Sequence, residues 1–170
     1  MNEPAIASDF SLGPSGDFMR KLWELNHELE RASRCTEALF GVTGQQRLMI
    51  RCVGKYPGMT PSQLAGHFHL DPGTVSIAVD RLEEKGLLER RRSPQDRRRV
   101  TLGLTALGRK VDGEVTGISE LAVQKLLGST GGEEIESTRR VLSALVTLLG
   151  SEVERGRERL EARQRAVEAP

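Results

Sequence analysis

The sequence predicts a mainly α-helical chain carrying one small β-hairpin, an α+β arrangement, and three observations carry the prediction. Between Thr60 and Gly86 two short amphipathic patterns, each with its own start signal, flank a tight turn. Leu88–Arg92 and Arg99–Leu104 then read as two strands joined by an arginine-rich loop. Long stretches with apolar residues at helical spacing lie on either side. This order describes a winged helix-turn-helix with N- and C-terminal dimerisation helices.

Residues 1–14, with Pro4, Gly13 and Pro14, read as a flexible arm. A helix is expected from near Ser15 to Leu39 or Phe40. Its apolar positions are Phe18, Leu22, Leu25, Leu29, Ala32 and Leu39, with Cys35 or Thr36 completing the stripe. A seam of that length exceeds what a surface helix needs for one small core, and so calls for a partner helix. The next helix starts at Thr43, which has capping-box spacing to Gln46, and runs through Leu48, Met49, Ile50, Cys52 and Val53 to Gly54. Lys55–Gly58 form a break.

The third helix has Thr60 at its N-cap, Pro61 at N1, where a missing N–H costs nothing, and Gln63 at N3. Leu64 and Phe68 share one face. The fourth starts at Asp71, with Pro72 in its first turn, and its stripe of Val75, Ala78, Val79 and Leu82 faces the core. Gly86 ends it. Its opposite face carries Gly73, Thr74, Ser76, Ile77, Asp80 and Arg81, mostly small or hydrogen-bonding groups. A helix that enters the major groove needs such a face, because bulky outward groups would hold its backbone off the bases. An ordinary solvated face has the same composition.

The hairpin discriminates between those readings. Ser93 and Pro94 supply turn chemistry, and Arg90, Arg91, Arg92, Arg97, Arg98 and Arg99 crowd its arms and tip. Arginine suits phosphates and a narrow minor groove, since it stays charged and presents a planar fork of donors. A basic run alone is ordinary surface; directly after a helix-turn-helix it marks a DNA-reading unit over 41–104.

Beyond the hairpin, Thr105 is placed to cap one helix carrying Leu107, Val111, Val115, Ile118, Leu121, Ala122 and Leu126, stopping at Gly128. Thr130 and Glu133 have capping-box spacing before a last helix with Ile135, Leu142, Leu145, Leu148, Leu149 and Val153. Residues 15–40 and 105–155 together form the expected dimerisation region. The charged tail, 156–170, is either a solvated helical extension or frayed.

The chain has 170 residues, enough for one domain with a real core. Its net charge of +1 hides an asymmetry: Lys55 to Lys110 holds 11 Lys/Arg against 6 Asp/Glu, a net of +5, which leaves −4 for the remainder. Two cysteines, Cys35 and Cys52, make no disulfide framework. The first residues lack a signal-peptide pattern and no apolar run is long enough to span a bilayer, so a cytoplasmic protein without membrane partners is expected. Neither G-x-S-x-G, a phosphate-binding glycine loop nor H-E-x-x-H occurs, so no catalytic residue is assigned and no enzyme is expected. His67 and His69 form an H-x-H pair, too few ligands for a metal sensor, and neither a metal nor a cofactor is expected.

The run LAGHFHLDPGTVSIAVDRLEEKGLLERRRSPQDRRRVTLGLTALGRK resembles the core of the MarR (multiple antibiotic resistance regulator) family of bacterial transcription factors. The closest matches are DPGTVS, LEEKGLLER, and the DRR and LT-x-LG pattern of the hairpin and following helix, and the likeness extends more loosely over residues 15 to 150. His69 departs from the family, which usually carries glycine there; histidine is among the residues tolerated at positive φ, so a small local cost within the same fold is expected.

The resemblance implies a homodimer formed by the terminal helices, reading a pseudo-palindromic operator in double-stranded DNA. It also implies that Arg98 enters the minor groove while Asp96 helps orient it. The expected DNA contacts are Gly73, Thr74, Ser76, Ile77, Arg81, Arg92, Asp96, Arg97, Arg98 and Arg99, with Ile77 suited to a thymine methyl. Relatives of this kind bind small aromatic or anionic effectors, for which Trp23, His27, Arg47 and Arg51 are candidates, though packing, solvation or ion pairing would equally explain them. Others sense oxidants through cysteine, for which Cys35 is the candidate. The expected function is therefore a sequence-specific dimeric regulator of transcription, a repressor released by a small molecule. The alternatives are oxidant sensing through Cys35 and a winged-helix module that grips a protein instead of DNA.

Overall fold

The computed structural model describes residues 11–92, 100–114 and 116–168. The chain divides into two compact units, one ending at Ala122 and the other beginning at Val123. The first holds α1 (Gly13–Phe40), α2 (Gly44–Lys55), α3 (Pro61–Phe68), α4 (Pro72–Glu84), β1 (Leu88–Arg92), β2 (Val100–Leu104) and α5 (Ala106–Glu114). α6 (Ile118–Ser129) crosses the division, and α7 (Gly132–Glu168) belongs to the second unit.

Helix starts follow the capping chemistry written in the sequence. Thr43 Oγ1 accepts from Gln46 N–H at 3.1 Å while Gln46 Oε1 accepts from Thr43 N–H at 3.2 Å. Thr60 and Gln63 repeat the arrangement at 3.2 and 2.9 Å. Asp71 Oδ1 accepts from Gly73 N–H at 3.1 Å, opening α4. Thr105 Oγ1 accepts from Gly108 N–H at 3.0 Å and donates to Gly86 O at 2.6 Å, which ties the start of α5 to the end of α4. A Cβ on Gly108 would lie 2.0 Å from Leu87 O, so only glycine allows this approach.

Three expectations are corrected. α1 begins at Gly13, not near Ser15, because Pro14 fits the first turn and Asp17 accepts from Ser11 Oγ at 2.7 Å and Leu12 N–H at 3.2 Å. Those bonds, the Ser11 one first, hold the Asp17 carboxyl below its ordinary range. The single helix expected from Thr105 to Gly128 is two helices. α6 starts afresh because Gly117 N–H donates to Glu120 Oε2 at 2.7 Å and Ile118 N–H to Thr36 Oγ1 at 3.3 Å, so its first orphan donors find partners outside any continuing helix. Val115, counted in the expected stripe, lies outside the described residues. α7 has Gly131 at its N-cap, since Ile135 N–H bonds Gly131 O at 3.1 Å, one residue beyond the expected Thr130. The charged segment after Glu154 continues α7 to Glu168.

The core of the first unit gathers Val42 with Met49, Ile50 and Val53 of α2, Leu64 of α3, Val75, Val79 and Leu82 of α4, Leu87, and Leu88, Leu102 and Leu104 of the hairpin. Removing such side chains from water contributes about 1.5–3 kcal/mol each. The hairpin is antiparallel, with Leu88 opposite Leu104 and Arg90 opposite Leu102. β2 is also held on its other edge, Leu102 N–H reaching Met59 O at 2.8 Å.

Candidate nucleic-acid interface

The turn between α3 and α4 is closed by His69 at φ 50° and ψ 40°, the one non-glycine with positive φ among the described residues. His69 N–H reaches Gly66 O at 3.3 Å and Leu70 N–H reaches Ala65 O at 3.0 Å, the paired bonds that end a helix on a left-handed residue. Gly86, at φ 67°, repeats them after α4, through Glu83 O at 2.8 Å and Leu82 O at 2.9 Å. The C-terminal ends of both helices of the helix-turn-helix are thereby fixed by backbone geometry, and with Asp71 capping its start α4 presents a defined face outward.

That face carries the expected residues. Gly73, Thr74, Ser76 and Arg81 are exposed, and Ile77 is 55% exposed, unusual for an isoleucine with a packed core one turn away. Arg92, at the end of β1, is exposed as well. Asp96, Arg97, Arg98 and Arg99 lie outside the described residues.

Among the described hairpin residues, Arg90 and Arg91 are engaged within the chain. Arg91 Nε donates to Glu89 Oε1 at 3.0 Å. Arg90 meets both Asp80 and Glu83 of α4, its Nη2 standing 2.7 Å from Asp80 Oδ1. Sequence patterning did not reveal this pairing, although the two-residue period of β1 puts Arg90 on the same side as buried Leu88. Nor did it single out Lys85, whose Nζ donates to Gly41 O at 2.6 Å and joins the end of α4 to the end of α1.

The effector candidates do not converge. Trp23 is 70% exposed on α1 and His27 is exposed one turn on. The Arg47 side chain is 3% exposed and lies 3.3 Å from Asp112 and 3.5 Å from Glu120. Arg51, half in solvent, shares Asp112 at 3.1 Å. A cleft of about 530 Å³ includes Arg51 with Leu48, Cys52, Tyr56, His67 and Phe68 but none of the other three candidates. Cys35 is exposed and Thr36 fills the buried position on that turn, donating to Ala32 O at 2.8 Å. Cys52 is buried, and burial pushes its thiol up from the ordinary range. His67 and His69 are exposed, and no group of three metal-ligating side chains occurs among the described residues. No described helix is long and apolar enough to cross a membrane.

A short helix locked at both ends, small groups facing outward and a basic hairpin beside it define a winged-helix DNA-binding protein. The MarR family model matches residues 42–100. Over 105 residues the chain is 31% identical to the HTH-type transcriptional regulator YdcH of Bacillus subtilis, covering 59% of this chain and 71% of that one. Over 144 residues it is 26% identical to the HTH-type transcriptional regulator TtmR of Methylorubrum extorquens, covering 85% and 67%. The fold is similar to that of MepR of S. aureus in its DNA complex, with a TM-score of 0.66 and 25% identity, over 78% of this chain and 97% of that one. The chain belongs to the MarR family of winged-helix transcriptional regulators.

Proposed function

We propose that the protein acts in the cytoplasm as a homodimer that binds a pseudo-palindromic operator in double-stranded DNA, represses transcription there, and is released by a small aromatic or anionic molecule. The observation that carries this reading is the outward face of α4, slim along Gly73, Thr74 and Ser76, together with the exposed Arg92 at the end of β1. In this reading α4 reads base edges in the major groove, and Arg92, Arg97, Arg98 and Arg99 hold phosphates and the adjacent minor groove, Asp96 orienting Arg98.

The dimer reading is supported by apolar side chains that stay in water on the isolated chain: Phe18, Leu25, Leu29 and Leu39 on α1, Leu121 and Leu126 on α6, and Leu142, Leu148, Leu149 and Val153 on α7. Packed against the same rows of a second copy, they would hold two α4 helices at a fixed separation. Trp23 and His27, exposed on α1, and Arg51, in the cleft, are the groups offered for an effector; Arg47 serves the fold through its ion pairs. A second reading, oxidant sensing, is favoured by the exposure of Cys35.

Footprinting on the promoter upstream of its own coding region, repeated with candidate phenolics and with peroxide, tests the proposal. Protection lost on adding a phenolic supports ligand release; loss on adding peroxide that disappears in Cys35→Ser supports the redox reading; absence of any protection refutes DNA reading.

A further inference from the structure

The hairpin arginines are not equivalent, and Arg90 stands apart. On β1 the side chains of Leu88, Arg90 and Arg92 point to one side, and Leu88 enters the core beneath α4. Arg90 therefore meets the rim of α4, where Asp80 and Glu83, one helical turn apart, both face it. Its Nη2 lies 2.7 Å from Asp80 Oδ1, its Nη1 bonds Glu83 Oε2, and its own backbone N–H donates to Glu83 Oε1 at 2.9 Å. Main chain and side chain of one hairpin residue are thus both fastened to the reading helix, and the Arg90 side chain is left 31% exposed.

Two carboxylates around one guanidinium use the donors a phosphate would need. The pairing also answers an electrostatic problem: Asp80 lies 51% exposed on a helix meant to approach polyanionic DNA, where a bare carboxylate would repel the backbone. Resting on the DNA-reading function proposed above, we infer that Arg90 is a positioning residue, a strut that fixes the angle between α4 and the hairpin so that both engage one duplex, and that Asp80 serves as its seat. Arg90 takes no phosphate.

The inference gives Asp80 an unusual sign. Removing an acidic group from a DNA-binding face ordinarily strengthens binding; here it leaves the strut held by Glu83 alone, frees its Nη2 end and weakens binding. The test uses the full chain and its Asp80→Asn, Arg90→Gln and double variants, titrated onto the genomic duplex that wild type retains most tightly and onto an unrelated duplex of equal length. Each single variant is expected to lose operator affinity by about tenfold while binding the unrelated duplex nearly as wild type does, and the double variant to be no worse than Arg90→Gln alone. Circular dichroism and thermal midpoints confirm that each variant folds, Asp80→Asn being isosteric at an exposed site.

Tighter binding by Asp80→Asn, or equal losses on both duplexes in Arg90→Gln, makes Arg90 a phosphate ligand and overturns the strut. Additive losses in the double variant overturn it as well, since the two residues would then act separately. If wild type itself shows no preference between the duplexes, the reading function fails and the strut with it; if wild type discriminates and the variants behave additively, the strut alone fails.

Discussion

Arg47 Nη1 lies 3.3 Å from Asp112 Oδ1, joining α2 to the last turn of α5, and the same guanidinium stands 3.5 Å from Glu120 at the start of α6. Its Nη2 also donates to Asp112 O at 3.1 Å. The group that holds the reading head to the α5–α6 junction is therefore an almost fully desolvated guanidinium in an ion pair.

Asp112→Ala removes one carboxylate from a guanidinium that cannot shed its charge. The expected cost is about 3 kcal/mol, the lower end for breaking a buried pair because Glu120 remains, and a fall in thermal midpoint of about 10 °C. Arg47→Met, which leaves partly solvated carboxylates beside Arg51, is expected to cost less. Scanning calorimetry checks the order; equal losses would mean that packing, not charge, matters at Arg47.

His69 holds a left-handed backbone that glycine adopts freely. His69→Gly is expected to stabilise by roughly 0.5–1 kcal/mol, and His69→Val, β-branched at positive φ, to destabilise by more than about 1 kcal/mol. Urea unfolding measures both. A destabilised His69→Gly would show that the imidazole makes an interaction worth more than the strain.

Arg92→Ala and Arg98→Ala should weaken binding to every sequence and reduce the slope of log affinity against log salt by about 0.9 for each phosphate that is no longer neutralised. Arg91→Ala, whose guanidinium is engaged by Glu89, should leave the slope near its wild-type value. Anisotropy titrations across salt concentrations decide this, and an unchanged slope in Arg98→Ala removes the wing from the reading.

Ile77→Ala should relax preference at one base pair, by about 1–3 kcal/mol of discrimination, with little effect on unrelated duplex. Selection from a randomised operator library would show it as a missing preference for thymine at a single position in each half-site. Retention of the wild-type profile would place Ile77 away from the bases.

Exposed Cys35 should be alkylated by iodoacetamide at pH 8 while Cys52 stays protected, because burial penalises its thiolate and raises its pKa, leaving less of the nucleophilic form. Mass spectrometry of the labelled protein reads both sites. Reaction of Cys52 at the Cys35 rate in native protein would show that α2 opens easily.

Local chemistry made much of this fold legible in the sequence. The Thr43, Thr60 and Asp71 caps, the stripe of Val75, Val79 and Leu82, and the glycine-like role of His69 each depend on residues a few positions apart, and each stands where the pattern placed it. The break before α6 is hard to read because part of its cause is distant: Gly117 N–H finds Glu120 three residues on, but Ile118 N–H finds Thr36, 82 residues away, and helical spacing runs unbroken through Thr116 and Gly117. The same limit applies to the site. Outward small groups on α4 follow from one helical period, whereas the pairing of Arg90 with Asp80 and of Arg47 with Asp112 requires knowing which elements meet. Six hairpin arginines look alike in sequence; the alternation of β1 separates Arg90, on the side of buried Leu88, from Arg91.

In the proposed assembly two copies of this chain present two α4 helices and two basic hairpins to one duplex. Hydroxyl-radical footprinting of the retained genomic fragment, run beside analytical ultracentrifugation of the free protein, measures this most directly. The expected result is a dimer that protects two symmetric patches about 34–36 Å apart along the duplex. A single asymmetric patch, or single subunits at micromolar concentration with no preferred fragment, would contradict it.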